Sequence, residues 1–182
     1  MITKQLEHTI IFTDDIEEDT VQDLIDKINQ YAFVNLYFST HGGYQDIMAI
    51  LIDFLNHRFE NGSLKLTIFD FIASAGTDLL LDYEGPIYVK NLRALLFHAP
   101  DISANKIRKS KFQKNAEEQL FQDNEIYYKR LLSLGLNKAD VKKIKDGDDI
   151  YVFKDELHRI KRDLYVAEET TTSHYVITKP NK

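Results

Sequence analysis

Apolar residues along the first hundred positions follow two alternating rhythms, which predict strands and helices in turn. Thr9-Ile10-Ile11-Phe12, within His8 to Thr13, is a short strand-like run. After Asp19-Thr20, the residues Val21, Leu24, Ile25 and Ile28 recur at three- and four-residue spacing, the stripe of an amphipathic helix. Phe33 to Phe38 is strand-like and runs into Ser39-Thr40-His41-Gly42-Gly43. Ile47, Ile50, Leu51, Phe54 and Leu55 then restore the helical spacing. Asn61-Gly62-Ser63 is a turn, Leu64 to Phe69 a strand, and Phe71-Ile72-Ala73-Ser74-Ala75-Gly76 leads into a helix-like run, Leu79-Leu80-Leu81. Gly85-Pro86 stops that run, after which Ile87-Tyr88-Val89 and Leu92 to Phe97 read as two further strands, the second closed by His98-Ala99-Pro100. Alternation of this kind is the signature of an α/β fold with a parallel sheet and right-handed crossovers.

Beyond Pro100 the pattern changes. Ala104 to Leu134 contains neither Gly nor Pro and carries Ile107, Ala116, Leu120, Tyr127, Leu131 and Leu134, which predicts one long helix ending at Gly135. Such a helix either projects to pack on another subunit or lies across its own domain; the pattern leaves both open. Lys138 to Lys145 predicts a short helix, Asp146-Gly147-Asp148-Asp149 a turn, Ile150 to Phe153 a strand and Lys154 to Ile160 a last helical turn or two. The segment from about 166 to 182 is expected to be loose or to form an edge strand. No internal linker divides the 182 residues, so a single domain is expected.

Composition narrows the chemistry. With no cysteine, disulfides, thiolate metal sites and a cysteine nucleophile are excluded. A formal charge of −6 argues against a general nucleic-acid surface. No stretch approaches the ~18 apolar residues of a membrane span, and Met1 to Glu7 lacks a signal-peptide core. A soluble, cytoplasmic chain without a membrane or nucleic-acid partner is the expectation.

The chemistry-bearing residues sit where strands end. Each of the two small-residue stretches follows a strand and precedes a helix, so parallel pairing would bring Ser74 beside the amides of Gly42 and Gly43 at one sheet edge. That is a hydroxyl nucleophile next to an oxyanion site. Taken singly, the Gly pair is a tight turn and Ala-Ser-Ala-Gly a helix start capped by serine. The ordered pair, followed by His98 at the end of a third strand, favours the functional reading. His41 reads as a loop residue, and no spacing of His and carboxylates supports a metal site or any other cofactor.

These motifs resemble the proteolytic subunit of Clp proteases, within the crotonase-like superfamily. Leu36-Tyr37-Phe38-Ser39-Thr40-His41-Gly42-Gly43 stands where the family runs into Ser-Pro-Gly-Gly. Asp70-Phe71-Ile72-Ala73-Ser74-Ala75-Gly76 matches Gly-Gln-Ala-Ala-Ser-Met-Gly, and Leu96-Phe97-His98-Ala99-Pro100 matches Met-Ile-His-Gln-Pro. Ala104 to Leu134 corresponds to the family's handle helix, and Asp146-Gly147-Asp148-Asp149 lies where its aspartate precedes a short strand. The resemblance spans about residues 8 to 160. It implies a ββα superhelix with a mostly parallel sheet and a projecting handle. The implied activity is a serine endopeptidase with Ser74 as nucleophile, His98 as general base and acid, and Asp146 as orienting carboxylate, Asp148 and Asp149 being the neighbouring choices. Gly42 or Gly43, with Ala75, would supply the oxyanion amides, and a helix starting at Ala75 its positive end. Peptide or unfolded protein is the implied substrate, within a homo-oligomer of stacked rings.

Four departures are visible. Thr40-His41 replaces Ser-Pro, and Asp70 replaces a glycine and brings a carboxylate near the site. The stretch before His8 is shorter than the family's pore-loop segment, so an AAA+ unfoldase partner stays open. Arg162-Asp163-Leu164-Tyr165-Val166 stands in place of Tyr-Gly-Leu-Ile-Asp. Two alternatives follow: an inactive scaffold or regulatory member, and a crotonase-like acyl-CoA enzyme whose paired amides hold a thioester enolate.

Overall fold

A computed structural model describes residues 8–100, 124–169 and 175–178. Among these, seven strands form one mixed sheet in an α/β fold. The strands are β1 (His8–Phe12), β2 (Val34–Thr40), β3 (Leu64–Ala73), β4 (Ile87–Phe97), β5 (Ile150–Phe153), β6 (Leu164–Glu169) and β7 (Tyr175–Thr178). The order β1-β2-β3-β4-β6-β7 is parallel from β1 to β6, and β7 closes the edge antiparallel to β6. Beyond β3, β4 has one edge with two occupants. β6 pairs with its first half, Ile87 to Val89, and β5 runs antiparallel along its second half, Ala94 to Phe97.

The helices are α1 (Glu18–Asn29), α2 (Gln45–Glu60), α3 (Leu79–Asp82), α4 (124–134) and α5 (Lys138–Lys145). α1 starts where Glu17 N–H donates to Thr20 Oγ1 at 3.2 Å, and it buries Val21, Leu24 and Ile28. α2 buries Met48, Leu51, Ile52 and Leu55. α5 is capped by Asn137, whose Oδ1 accepts from Asp140 N–H at 2.9 Å. Alternate residues of the strands, Val34, Leu36 and Phe38 on β2 and Leu64, Leu66 and Ile68 on β3, are buried in the same apolar core. One-sided burial of this kind is what the two rhythms of the sequence encode.

Two local expectations are corrected. Ile87 to Val89 and Leu92 to Phe97 are one strand, not two. The chain stays in the sheet because β4 carries extra residues at Asn91 and Arg93 while β3 continues, with Asn91 (φ 51°) and Asp70 (φ 53°) in the left-handed region. No regular helix starts at Ala75. Ser74–Asp78 is a 3-10 turn followed by the single α-turn of α3, so a helix dipole is not available there. The segment from 166 includes a paired hairpin, β6 with β7, which realises the edge-strand alternative. The expected helix 104–134 is observed from 124, and the remainder lies outside the described residues. Among the described residues no helix is long and apolar enough to cross a membrane.

Candidate functional site

The two small-residue stretches meet. A Cβ added at Gly42 would stand 2.4 Å from Ser74 Cβ and 3.1 Å from Ser74 Oγ, so only glycine lets the β2 turn approach that side chain. Ser39 couples the strands just upstream. Its Oγ donates to Phe71 carbonyl at 2.9 Å and accepts from Phe71 N–H at 3.3 Å, filling the ladder where the register between β2 and β3 shifts. Thr40 closes the loop: Gly42 N–H donates to Thr40 Oγ1 at 3.0 Å, while the Thr40 methyl lies under Gly76. The Thr40-His41 departure therefore has a local structural role.

Gly43 is fixed from the other side. Ile16 N–H donates to the Gly42 carbonyl at 2.7 Å and Tyr44 N–H to the Ile16 carbonyl at 2.9 Å, so the segment before α1 braces the loop. A side chain at Gly43 would collide with the Ile16 backbone, its Cβ at 2.3 Å from the carbonyl oxygen. This bracing distinguishes the two glycines. The Gly42 amide is used by Thr40, whereas no described bond uses that of Gly43. Ala75 is the second residue of the 3-10 turn, a position whose N–H has no partner inside the turn.

Ser74 itself has φ 54°, a left-handed conformation that costs a non-glycine residue roughly 1–2 kcal/mol. Its side chain is half-buried at the strand-to-turn junction, and its carbonyl accepts from Thr77 Oγ1 at 2.7 Å. Local strain at a small polar side chain beside open amides is the pattern of a functional turn.

His98 follows β4 directly. β3 and β4 pair through Ala73 and Leu96, so Ser74 and His98 leave adjacent parallel strands near the same edge. The His98 ring Nδ1 lies 2.6 Å from the Ala99 carbonyl. A carbonyl only accepts, so Nδ1 carries the proton and Nε2 is left as the basic nitrogen. No hydrogen bond joins Ser74 Oγ to His98 among the described residues.

The acidic turn lies across the same end. The β4–β5 pairing ends at Phe97 with Ile150, so the next residues outward are His98 and Asp149. Asp146 caps the C-terminus of α5, with its N–H bonded to Lys142 and Lys143 carbonyls, three residues back from Asp149. Asp146, Asp148 and Asp149 are all exposed, and none is hydrogen-bonded to the imidazole. Asp70 is engaged elsewhere, its Oδ1 2.5 Å from Arg93 Nε on the bulged β4. The His41 ring packs at a tilt of 46° against Phe71, with ring centroids 5.3 Å apart. Both line an open apolar depression of ≈450 Å³ with Arg93, Ala94, Tyr151 and Phe153.

Sequence reasoning missed a polar cluster behind the site. Tyr127 on α4 donates its hydroxyl to the His98 carbonyl at 3.4 Å. Beside it, Asp78 is raised from 3.8 to about 7, first by burial and then by the Asp82 charge, against the lowering effect of Arg130. Arg130 is ion-paired with Asp82. The Tyr127 hydroxyl is also raised, chiefly by burial and then by Asp78. The only sequence trace of this cluster was Tyr127 in the apolar stripe of a helix, where its hydroxyl carries no periodic signal.

Among the described residues no group of three His or carboxylate side chains is arranged to hold a metal. No family model matches the chain, and no curated protein matches it.

Proposed function

We propose that the chain is a serine hydrolase of the Clp peptidase type, cleaving peptide bonds through Ser74 and His98. The observation that carries the reading is the Ser74 turn: a left-handed serine at the end of β3, abutting Gly42, with the Gly43 amide used by no bond among the described residues and the Ala75 amide in the first positions of the 3-10 turn. In this reading Ser74 Oγ attacks the substrate carbonyl while His98 Nε2 takes its proton. The Gly43 and Ala75 N–H groups stabilise the oxyanion. His98 then returns the proton to the leaving amine, and water attacks the acyl-serine by the same base catalysis. The acidic turn 146–149 supplies the third group, and register favours Asp149 over Asp146.

Support for the finer fold, a superhelix of the Clp peptidase and crotonase-like kind, comes from the side-by-side strand–turn units and from antiparallel β5 returning beside the His98 strand. A cytoplasmic homo-oligomer acting on peptide or unfolded protein completes the proposal. Exposed Tyr151 and Phe153, stacked with centroids 6.0 Å apart, offer an apolar surface for self-association.

One observation favours a second reading. The His98 ring is held by a backbone carbonyl and, among the described residues, is hydrogen-bonded to neither Ser74 nor a carboxylate, as suits an inactive scaffold. A fluorophosphonate probe with a fluorogenic peptide separates the two. The hydrolase is labelled and turns over, and Ser74→Ala abolishes labelling and lowers turnover by about 10⁴-fold or more. A folded protein that neither labels nor cleaves is the scaffold.

A further inference from the structure

We propose that the cavity at the amino-terminal ends of β4 and β6 binds a small zwitterion with an apolar side chain, an α-amino acid or a short peptide. Its volume is ≈690 Å³, within the range of small-molecule sites. Glu84 to Pro86 lead into β4, Lys161 to Asp163 lead into β6, and Ser133 and Leu134 end α4 beside them. The stretch that departs from the Clp pattern, Arg162-Asp163-Leu164-Tyr165, thus forms one wall. Ser74 leaves the opposite, carboxyl-terminal edge of the sheet, so the pocket is separate from the hydrolase site and does not depend on it.

The Arg162 guanidinium is the group that calls for an anion. Its Nη2 donates to the Tyr83 carbonyl and, at 2.9 Å, to the Gly85 carbonyl, which fixes the half-buried side chain in one pose. Its Nε is buried without a hydrogen-bond partner among the described residues. Carbonyls accept hydrogen bonds but do not neutralise a charge. Among the described residues no ion pair reaches Arg162 or Lys161. Burial pushes the Arg162 pKa down, against the raising influence of Tyr83, Asp163 and Asp82. A cation held this way, partly desolvated and fixed in place, gains from a carboxylate in the cavity beside it.

The rest of the lining selects among anions. Glu84 and Asp163 set two carboxylates against the two cations, so a dianion such as phosphate meets repulsion as well as attraction. A ligand that carries an ammonium group beside its carboxylate meets both signs favourably. Leu80, Leu81, Pro86 and Leu134 supply apolar surface for a side chain.

Isothermal titration calorimetry of the full chain with leucyl-leucine tests the site. Binding is expected, and capping either end, as N-acetyl-leucyl-leucine or leucyl-leucinamide, should weaken it about ten-fold or more. Arg162→Lys keeps the charge but loses the fork and should weaken binding by about the same factor. Lys161→Ala and Glu84→Gln, at exposed side chains, should each weaken it about three-fold. Free leucine separates the two sources: binding weaker than the dipeptide assigns a short peptide, and binding as tight assigns an amino acid. Ser74→Ala should bind leucyl-leucine as the wild type does; loss of binding there would put the ligand in the hydrolase site and overturn the proposal. No binding at millimolar dipeptide, capped analogues as tight as the parent, or inorganic phosphate tighter than the dipeptide would also overturn it. Should Arg162→Lys not fold, Lys161→Ala and Glu84→Gln decide, and unchanged affinity in both counts against the site.

Discussion

Asp78 shows how one side chain can make the fold sensitive to pH. An unfolded aspartate titrates near its ordinary 3.8, whereas in the folded chain Asp78 holds its proton to about 7 because burial and Asp82 disfavour the anion. The folded state therefore binds the extra proton between those two values. The resulting stabilisation is complete below about pH 4 and is lost as pH rises through about 7. Asp78→Asn should flatten that slope and raise the melting temperature at pH 8 by roughly 5–10 °C, measured by calorimetry across pH 4 to 8. An equal slope in both proteins would place the titration elsewhere. At the opposite turn, Gly42→Ala would need φ near +109° and a Cβ inside contact distance of Ser74. Fluorophosphonate labelling should fall to background. Thr40→Val should weaken it less, through the lost partner of the Gly42 amide, at about 1–3 kcal/mol of stability by urea denaturation.

At the scale of elements, the alternating strands and helices and the meeting of the two turns were legible because burial on one side of a sheet writes its period into the chain. The glycines were legible too, since close backbone approach admits little else. What stayed hidden has a common cause. The left-handed conformations at Asp70, Ser74 and Asn91 occur without glycine, so no composition signal marks the bulges that join two expected strands into β4. Leu79-Leu80-Leu81 carries no helical period, and the chain leaves the helix at Tyr83 after a single turn. Hydrogen bonds across long separations, such as Tyr127 to His98 or Gly42 to the Ile16 segment, depend on placement in space. The acidic turn is intermediate. Its existence could be read, but choosing among Asp146, Asp148 and Asp149 requires the β4–β5 register. Asp149→Asn and Asp146→Asn test that choice at this scale. Loss of peptidase turnover is expected for the first, by about 10²–10⁴-fold, and a change of less than about two-fold for the second.

For the molecule as a whole, the exposed ring pair on β5 is one surface that assembly would bury. Tyr151 and Phe153 are 45% and 52% exposed on β5, beside the depression that also holds His41 and Phe71. Burial of two such rings in a partner would contribute several kcal/mol per protomer, at ~25 cal/mol per Å² of apolar surface. Mass photometry at micromolar concentration should show an oligomer that Tyr151→Asp with Phe153→Asp reduces to monomer. A wild-type monomer would contradict the assembly part of the proposal.

The most direct test of the whole account is the second-order rate of fluorophosphonate reaction, with the adduct located by peptide mass mapping, in the wild-type protein and in His98→Ala. The account predicts a single adduct on Ser74 and a rate reduced by about 10³-fold or more without the imidazole. An adduct on another residue, or an equal rate in both proteins, would contradict it.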